Sequence, residues 1–215
     1  SYSNKLKAVE ITDFLAEKKA SFYSDLIKKN TIVITSDTIV WIKNKALGKP
    51  KNNKNAKEIL RTLSDSTHEV ITSFCIKTID KKIIVNDTTK VSFKKLTDQE
   101  IDYYVDNNNV LDKAGAYGIQ DWIGYIGITS IEGTYNNVMG LPTHLLYKEL
   151  MKLIKADKSI KSIKSDFCGG DIHIVRHLSN KYSDGKIVFV PYEQADYVIM
   201  INTLSIDANK LTYII

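Results

Sequence analysis

The chain has 215 residues, of which 43% are hydrophobic and 26% are charged, a composition ordinary for a globular protein. Its formal net charge is +5. No apolar run approaches the ~20 residues that a membrane span requires, and the first residues lack the pattern of a secretory signal. Two cysteines without CxxC spacing, Cys75 and Cys168, disfavour a disulfide framework or a zinc site. We therefore expect a cytoplasmic protein without a membrane partner.

The positive charge is concentrated early in the chain. Residues 1–60 carry twelve lysines against six acidic residues, and six of those lysines fall between Lys43 and Lys57 without an intervening acid. One interpretation is a solvated basic edge, and the other is an electrostatic funnel for a polyanion. Nucleic acid is disfavoured as the partner because no aromatic residues are interleaved with these lysines.

Apolar spacing predicts a helix over residues 11–28, with Thr12 as its N-cap. Residues 31–34 then predict a buried strand, which the polar triplet Ser36, Asp37 and Thr38 interrupts before it resumes at residues 39–42. Burying such a triplet is costly unless its polar groups bind something. Residues 48–50 predict a turn, and a second helix follows, with apolar positions at Ala56, Ile59, Leu60 and Leu63.

Residues 70–79 predict one long strand, and residues 83–93 alternate as its partner in a hairpin. Thr97 and Glu100 have the spacing of a capping box, which opens a third helix. The apolar run 122–128 predicts a strand, and Pro142 predicts the start of a further helix.

The character of the sequence changes after residue 155. Residues 156–215 predict a small α/β extension of unknown role, with a helix ending near residue 182 and strands at 187–190 and 197–201. His173 and His177 are four positions apart, but further convincing ligands are missing, so structural histidines are favoured over a metal site.

Three stretches carry chemistry suited to a nucleoside triphosphate. Asp37, which we place at the end of a strand, can hold a divalent cation or draw a proton from water. Lys49, between Gly48 and Pro50, offers a restrained ammonium for phosphate. The third stretch, residues 112–120, combines Lys113, two glycines that allow close approach, Gly115 and Gly118, and Gln120, whose amide can pair with a pyrimidine edge.

These stretches, together with Thr67-His68-Glu69-Val70 and Tyr135-Asn136-Asn137-Val138-Met139-Gly140-Leu141-Pro142, resemble the Maf family of nucleoside triphosphate pyrophosphatases. The resemblance runs from about residue 1 to residue 154, so we expect residues 1–155 to form a Maf-like domain. It implies a mixed α/β fold, with a long curved sheet flanked by helices and a cleft between two lobes. It also implies hydrolysis to the monophosphate and pyrophosphate with Mg²⁺ or another divalent cation.

Carried over by position, the resemblance implies that Asp37 is the proton acceptor and a metal ligand. It implies that Lys19 and Lys49 face the phosphates and that Thr38 and Gln120 influence base choice. Ala116-Tyr117-Gly118-Ile119-Gln120 is similar to the branch that acts on dTTP and UTP, whereas the sister branch, acting on 7-methyl-GTP, has a glutamate at the last position.

The printed sequence has no counterpart of the strand and Ser-x-Ser-Pro-Arg-Arg loop with which family members begin. Because bonds from arginine to phosphate are strong, we expect their loss to weaken substrate binding and turnover. Two alternatives to a pyrimidine nucleotide pyrophosphatase stay open at this point. One is a catalytically impaired nucleotide-binding or cell-division-related interaction protein, and the other is a basic nucleic-acid-binding domain. The oligomeric state is also open, a homodimer included.

Overall fold

The computed structural model describes residues 2–27, 31–156, 162–167, 187–191 and 197–201. Its helices are α1 (Val9–Ser21), α2 (Asn53–Leu63), α3 (Asp98–Asn107), α4 (Trp122–Gly127), α5 (Tyr135–Val138) and α6 (Thr143–Ala156). Its strands are β1 (Thr31–Ile42), β2 (Lys45–Leu47), β3 (Thr67–Lys77), β4 (Lys82–Phe93), β5 (Ile128–Glu132), β6 (Ser162–Phe167), β7 (Ile187–Pro191) and β8 (Tyr197–Ile201). This alternation confirms the mixed α/β class.

Strands β2, β1, β3, β4 and β5 form an antiparallel sheet flanked by helices. The order continues from β1 through β6 and β8 to β7. Strand β1 therefore has two partners besides β3: its first residues run parallel to β6, and Val40, Trp41 and Ile42 pair with β2 in antiparallel register. Lys43 and Asn44 make the tight connection to β2, both with positive φ, as in a two-residue hairpin of type I′.

By its internal contacts the chain divides into two units. The first comprises Ser1–Phe14, Asp37–Ser73 and Asn86–Pro142, and the second comprises Leu15–Ser36, Phe74–Val85 and Thr143–Ile215. In the first unit α2, α3 and α4 pack on the sheet through fully buried side chains such as Leu60, Ile101, Tyr104 and Ile123. In the second unit Ala16, Ala20 and Cys75 form a small buried cluster. The predicted boundary near residue 155 and the predicted cleft stay predictions.

Several local predictions are confirmed. Strands β3 and β4 form the expected long pair, and α6 begins directly after Pro142. The Thr97 hydroxyl accepts from the main-chain nitrogen of Glu100, and the Glu100 carboxylate accepts from that of Thr97, which completes the capping box. Strands β7 and β8 match the two predicted in the extension, whereas its predicted helix and His173 and His177 lie outside the described residues.

The predicted strand over residues 122–128 is wrong, because this run forms helix α4 and only then enters β5. A short apolar run does not distinguish a helix from a strand. Gly124 permits the helix here: a Cβ at this position would lie 2.1 Å from the carbonyl oxygen of Ile119. Only glycine lets the first turn of α4 lie against the preceding loop.

The predicted N-terminal helix is also wrong in its bounds. Helix α1 ends at Ser21, and a short 3₁₀ turn follows at Ser24–Leu26. Thr12 is not the N-cap but lies inside the first turn, where its hydroxyl donates to the main-chain oxygen of Val9. The predicted turn at residues 48–50 is wrong, and the tight turn of this region lies earlier, at Lys43 and Asn44.

The basic run is mostly solvated. Among the six lysines of this run, Lys57 is the exception because it is half-buried and forms ion pairs. Its ammonium lies 2.9 Å from Asp102 and 3.2 Å from Asp106 of α3. The others are exposed: Lys43, Lys45, Lys49, Lys51 and Lys54. The described lysines therefore favour the solvated edge, and the polyanion funnel stays a prediction.

Candidate functional site

Asp37 lies inside strand β1, not at the end of a strand as the sequence suggested. The polar triplet does not interrupt β1, which runs continuously from Thr31 to Ile42. Asp37 and Thr38 are both half-buried. Because successive side chains of a strand point to opposite faces, the Asp37 carboxylate and the Thr38 hydroxyl lie on opposite faces of β1.

Lys19 lies in the second unit, in the last turns of α1. Its ammonium donates to the main-chain oxygen of Ser36 over 3.0 Å, and Ser36 directly precedes Asp37 in the chain. The hydroxyl of Thr35 donates to the main-chain oxygen of Ala16 over 2.6 Å and so fastens the same helix to the same strand. These two bonds fix the position of the Lys19 side chain against β1.

Thr38 is the first member of a chain of polar groups in the first unit. Its Oγ1 lies 2.9 Å from Oγ1 of Thr72, on the neighbouring strand β3. The Thr72 hydroxyl donates to the main-chain oxygen of Asn137 over 2.8 Å. Thr72 and Asn137 are fully buried. The sequence did not single out either residue for a role in the site.

The loop of residues 112–120 meets both other stretches at Gly115. The main-chain nitrogen of Gly115 donates to the carbonyl oxygen of Gly48 over 3.3 Å. A Cβ on Gly115 would lie 2.7 Å from Cγ2 of Val40 in β1, and its φ of +71° also favours glycine. Segments of the three stretches therefore meet at Val40, Gly48 and Gly115, whereas convergence of Asp37, Lys49 and Gln120 on one nucleotide stays a prediction.

Lys113 makes its contacts within its own loop. Its ammonium donates to the main-chain oxygen of Asn109 over 2.5 Å and lies 3.5 Å from Asp112 and 3.6 Å from Asp121. These contacts give Lys113 a structural role in holding the loop. Its predicted role in substrate binding stays a prediction.

Gly118 is held by a tyrosine and an aspartate. Its main-chain nitrogen donates to the hydroxyl of Tyr104 over 3.2 Å, and that hydroxyl donates to Asp121 over 2.6 Å. Burial, followed by the hydrogen bond to Asp121, raises the pKa of Tyr104 well above its usual range. The phenol therefore stays protonated at neutral pH. Gln120, two residues beyond Gly118, is exposed at the end of this fixed loop.

The model of a known family, described as Maf-like protein, matches residues 2–153. This chain belongs to the Maf-like protein family. The match covers the span predicted from the motifs and leaves out the extension after residue 155. Asp37, Lys49 and the loop of residues 112–120 all lie inside the Maf-like span.

The curated relatives to which this chain is similar include proteins named dTTP/UTP pyrophosphatase. The protein of Flavobacterium johnsoniae is 54% identical over 153 residues, which cover 71% of this chain and 79% of the relative. That of Flavobacterium psychrophilum is 53% identical over 150 residues, covering 70% and 77%. That of Christiangramia forsetii is 49% identical over 155 residues, covering 72% and 79%.

A buried histidine holds the loop of residues 112–120 at Tyr117. Nε2 of His68 lies 2.7 Å from the Tyr117 hydroxyl, and both rings contact Phe93. Burial lowers the pKa of His68 to about 4, so this imidazole is neutral at pH 7. Sequence reasoning placed His68 in a family motif but gave it no role, since nothing in the pattern indicated a partner 49 positions away.

Among the residues that the structure describes, no three His, Cys, Asp or Glu side chains form a group that could hold a metal ion. This is compatible with Mg²⁺, which usually takes one or two carboxylates from the protein and further oxygens from substrate phosphates. The role of Asp37 as a metal ligand stays a prediction. Within the same described part of the chain, no helix is long and apolar enough to cross a membrane.

Proposed function

We propose that this chain hydrolyses dTTP and UTP to the corresponding monophosphate and pyrophosphate. The observation that carries the proposal is the 54% identity over 153 residues to a relative named dTTP/UTP pyrophosphatase. The matched span contains Asp37, Lys49 and the loop of residues 112–120, which offer a carboxylate to accept a proton from water, a cation for the phosphates and an amide for the base.

Asp37 is the proton acceptor in this proposal. A water molecule attacks the α-phosphorus, the carboxylate of Asp37 takes its proton, and the bond from the α-phosphorus to the bridging oxygen breaks. Pyrophosphate leaves with that oxygen. Asp37, together with oxygens of the triphosphate, would also hold Mg²⁺ or another divalent cation, which would supply charge neutralisation for the phosphates.

Lys19 and Lys49 provide positive charge for the triphosphate. The bond from Lys19 to the Ser36 carbonyl holds one ammonium beside β1. Lys49 is exposed and follows Gly48, whose carbonyl oxygen is fixed by Gly115. The expected contribution of each lysine is electrostatic stabilisation of the charge that develops on the leaving pyrophosphate.

Thr38 and Gln120 choose the base. Gln120 ends a loop held at Gly115, Tyr117 and Gly118, so its amide is presented from a rigid backbone. Rigid presentation reduces the entropy that the protein loses on binding.

The reaction is tested by identifying the products formed from dTTP, UTP, CTP, ATP and GTP by ³¹P NMR with Mg²⁺ present. We expect monophosphate and pyrophosphate in equal amounts, with dTTP and UTP consumed fastest. Diphosphate and orthophosphate as products would contradict cleavage at the α-phosphorus. Thermal stabilisation by dTTP without any product would instead indicate a nucleotide-binding protein and overturn the proposal.

A further inference from the structure

The hydrogen bonds from Thr38 to Thr72 and from Thr72 to Asn137 determine which group the Thr38 hydroxyl hydrogen points to. The main-chain oxygen of Asn137 can only accept, so the Thr72 hydroxyl, 2.8 Å away, donates to it. A threonine hydroxyl has a single hydrogen to donate. In the 2.9 Å contact between Thr38 and Thr72, Thr72 must then accept and Thr38 must donate.

Asn137, at the far end of this series of hydrogen bonds, is held by further bonds of its own. The side-chain nitrogen of Asn137 donates to the main-chain oxygen of Val70 and to the hydroxyl of Thr89, each over 3.0 Å. The main-chain nitrogen of Asn137 donates to the hydroxyl of Thr134, the N-cap of α5. If the buried Thr72 hydroxyl donated to Thr38 instead, its oxygen would face the main-chain oxygen of Asn137 at 2.8 Å without a hydrogen between them, which is unfavourable.

We propose that Thr72 and Asn137 make Thr38 a hydrogen-bond acceptor only, and that this selects uracil and thymine against cytosine. Uracil and thymine present an N–H at ring position 3, whereas cytosine presents an unprotonated nitrogen there. The inference rests on the proposed function, in which Thr38 faces the base. Thr72 acts through Thr38 and is a positioning residue.

The physical basis is that a hydroxyl able to rotate does not discriminate between these bases. A free threonine hydroxyl would accept from the N–H of uracil or turn and donate to the lone pair of cytosine. The Thr38 hydrogen is already donated to Thr72. Cytosine would therefore place the lone pair of its ring nitrogen 3 against a lone pair of the Thr38 oxygen. Sites that fix the polarity of a hydrogen bond reject the analogue of opposite polarity.

The test compares UTP with CTP in the wild-type protein and in Thr72→Val, which removes the accepting oxygen and keeps the branched shape. We expect the wild-type protein to favour UTP. In Thr72→Val the ratio of kcat/KM for UTP to that for CTP should fall about five- to tenfold, the worth of one hydrogen bond. Thr72→Ser keeps the hydroxyl and should retain the wild-type ratio.

A purely structural role for Thr72 makes a different prediction. Loss of packing would lower kcat/KM for both nucleotides equally and leave their ratio unchanged, and this result would overturn the proposal. The same result is expected if the Thr38 hydroxyl meets the ribose, since both nucleotides carry that sugar. Melting temperatures of the two Thr72 variants measure any loss of stability separately from the ratio.

Binding of UMP and CMP by titration calorimetry separates this inference from the proposed function. A wild-type preference for UMP that Thr72→Val reduces about five- to tenfold supports the role of Thr72, even if no nucleotide is hydrolysed. Absence of hydrolysis would overturn only the proposed reaction. Equal binding of UMP and CMP by the wild-type protein, or no binding of either, would overturn the inference.

Discussion

The main-chain nitrogen of Gly115 donates to the carbonyl oxygen of Gly48 over 3.3 Å, and this bond joins the loop of residues 112–120 to the segment that carries Lys49. The approach is possible because Gly115 lacks a side chain on the face that meets Val40. Two stretches that the sequence separates by more than sixty positions are thereby held in one backbone arrangement.

Gly115→Ala is expected to destabilise the protein by about 2 kcal/mol or more. Its Cβ would lie 2.7 Å from Cγ2 of Val40, and an alanine is strained at a φ of +71°. Gly48→Ala is the matched control, since a Cβ there meets nothing within 4 Å. Urea unfolding of both variants measures the difference. Equal stabilities of the two variants would contradict the packing described at Gly115.

Stability is expected to increase with pH between about 4 and 6.5 because of His68. Burial lowers the pKa of this imidazole to about 4 in the folded protein, against about 6.5 in the unfolded chain. The unfolded state therefore binds more protons in this window, and acidification favours it by up to about 3 kcal/mol in total. Urea unfolding at several pH values measures the slope.

His68→Phe is the control for the pH dependence between about 4 and 6.5. It keeps an aromatic ring against Phe93 but has no group that titrates. Its stability should depend less steeply on pH over the same interval, whatever its stability at pH 7. An unchanged slope in His68→Phe would assign the pH dependence to other groups.

The accuracy of the sequence predictions depended on how local each interaction is. Thr97 and Glu100 are three positions apart, and the β3–β4 pair follows from alternation in adjoining segments, so both were predictable. The bond between Thr72 and Asn137 spans 65 positions, and nothing in either local pattern indicates it. The interior position of Asp37 in β1 was missed because a polar triplet favours an interruption when its partners are unknown.

The sequence indicated the exposed end of the loop of residues 112–120 but not the residues that hold this loop in place. Gln120 was singled out for the chemistry of its amide, which needs no knowledge of neighbours. Tyr104 is buried in α3, and its hydroxyl joins Gly118 to Asp121. A tyrosine at a buried helical position gives no signal of which loop its hydroxyl will meet.

Gln120→Glu is expected to lower kcat/KM for dTTP and UTP about tenfold with little change in melting temperature. A carboxylate only accepts hydrogen bonds, whereas the amide both donates and accepts, and the position is exposed. Gln99→Glu makes the same charge change at an exposed position of α3 and should leave the kinetics unchanged. Equal kinetics in both variants would remove Gln120 from base recognition.

The most direct measurement of the central claim is the rate of pyrophosphate release from dTTP and UTP in the wild-type protein, Asp37→Asn and Asp80→Asn. Asp80 is exposed in the connection between β3 and β4 and has no place in the proposed site. We predict release by the wild-type protein and Asp80→Asn, and a loss of about a hundredfold or more in Asp37→Asn, as for removal of a general base. Release by Asp37→Asn at the wild-type rate would contradict the proposed role of Asp37 in the reaction.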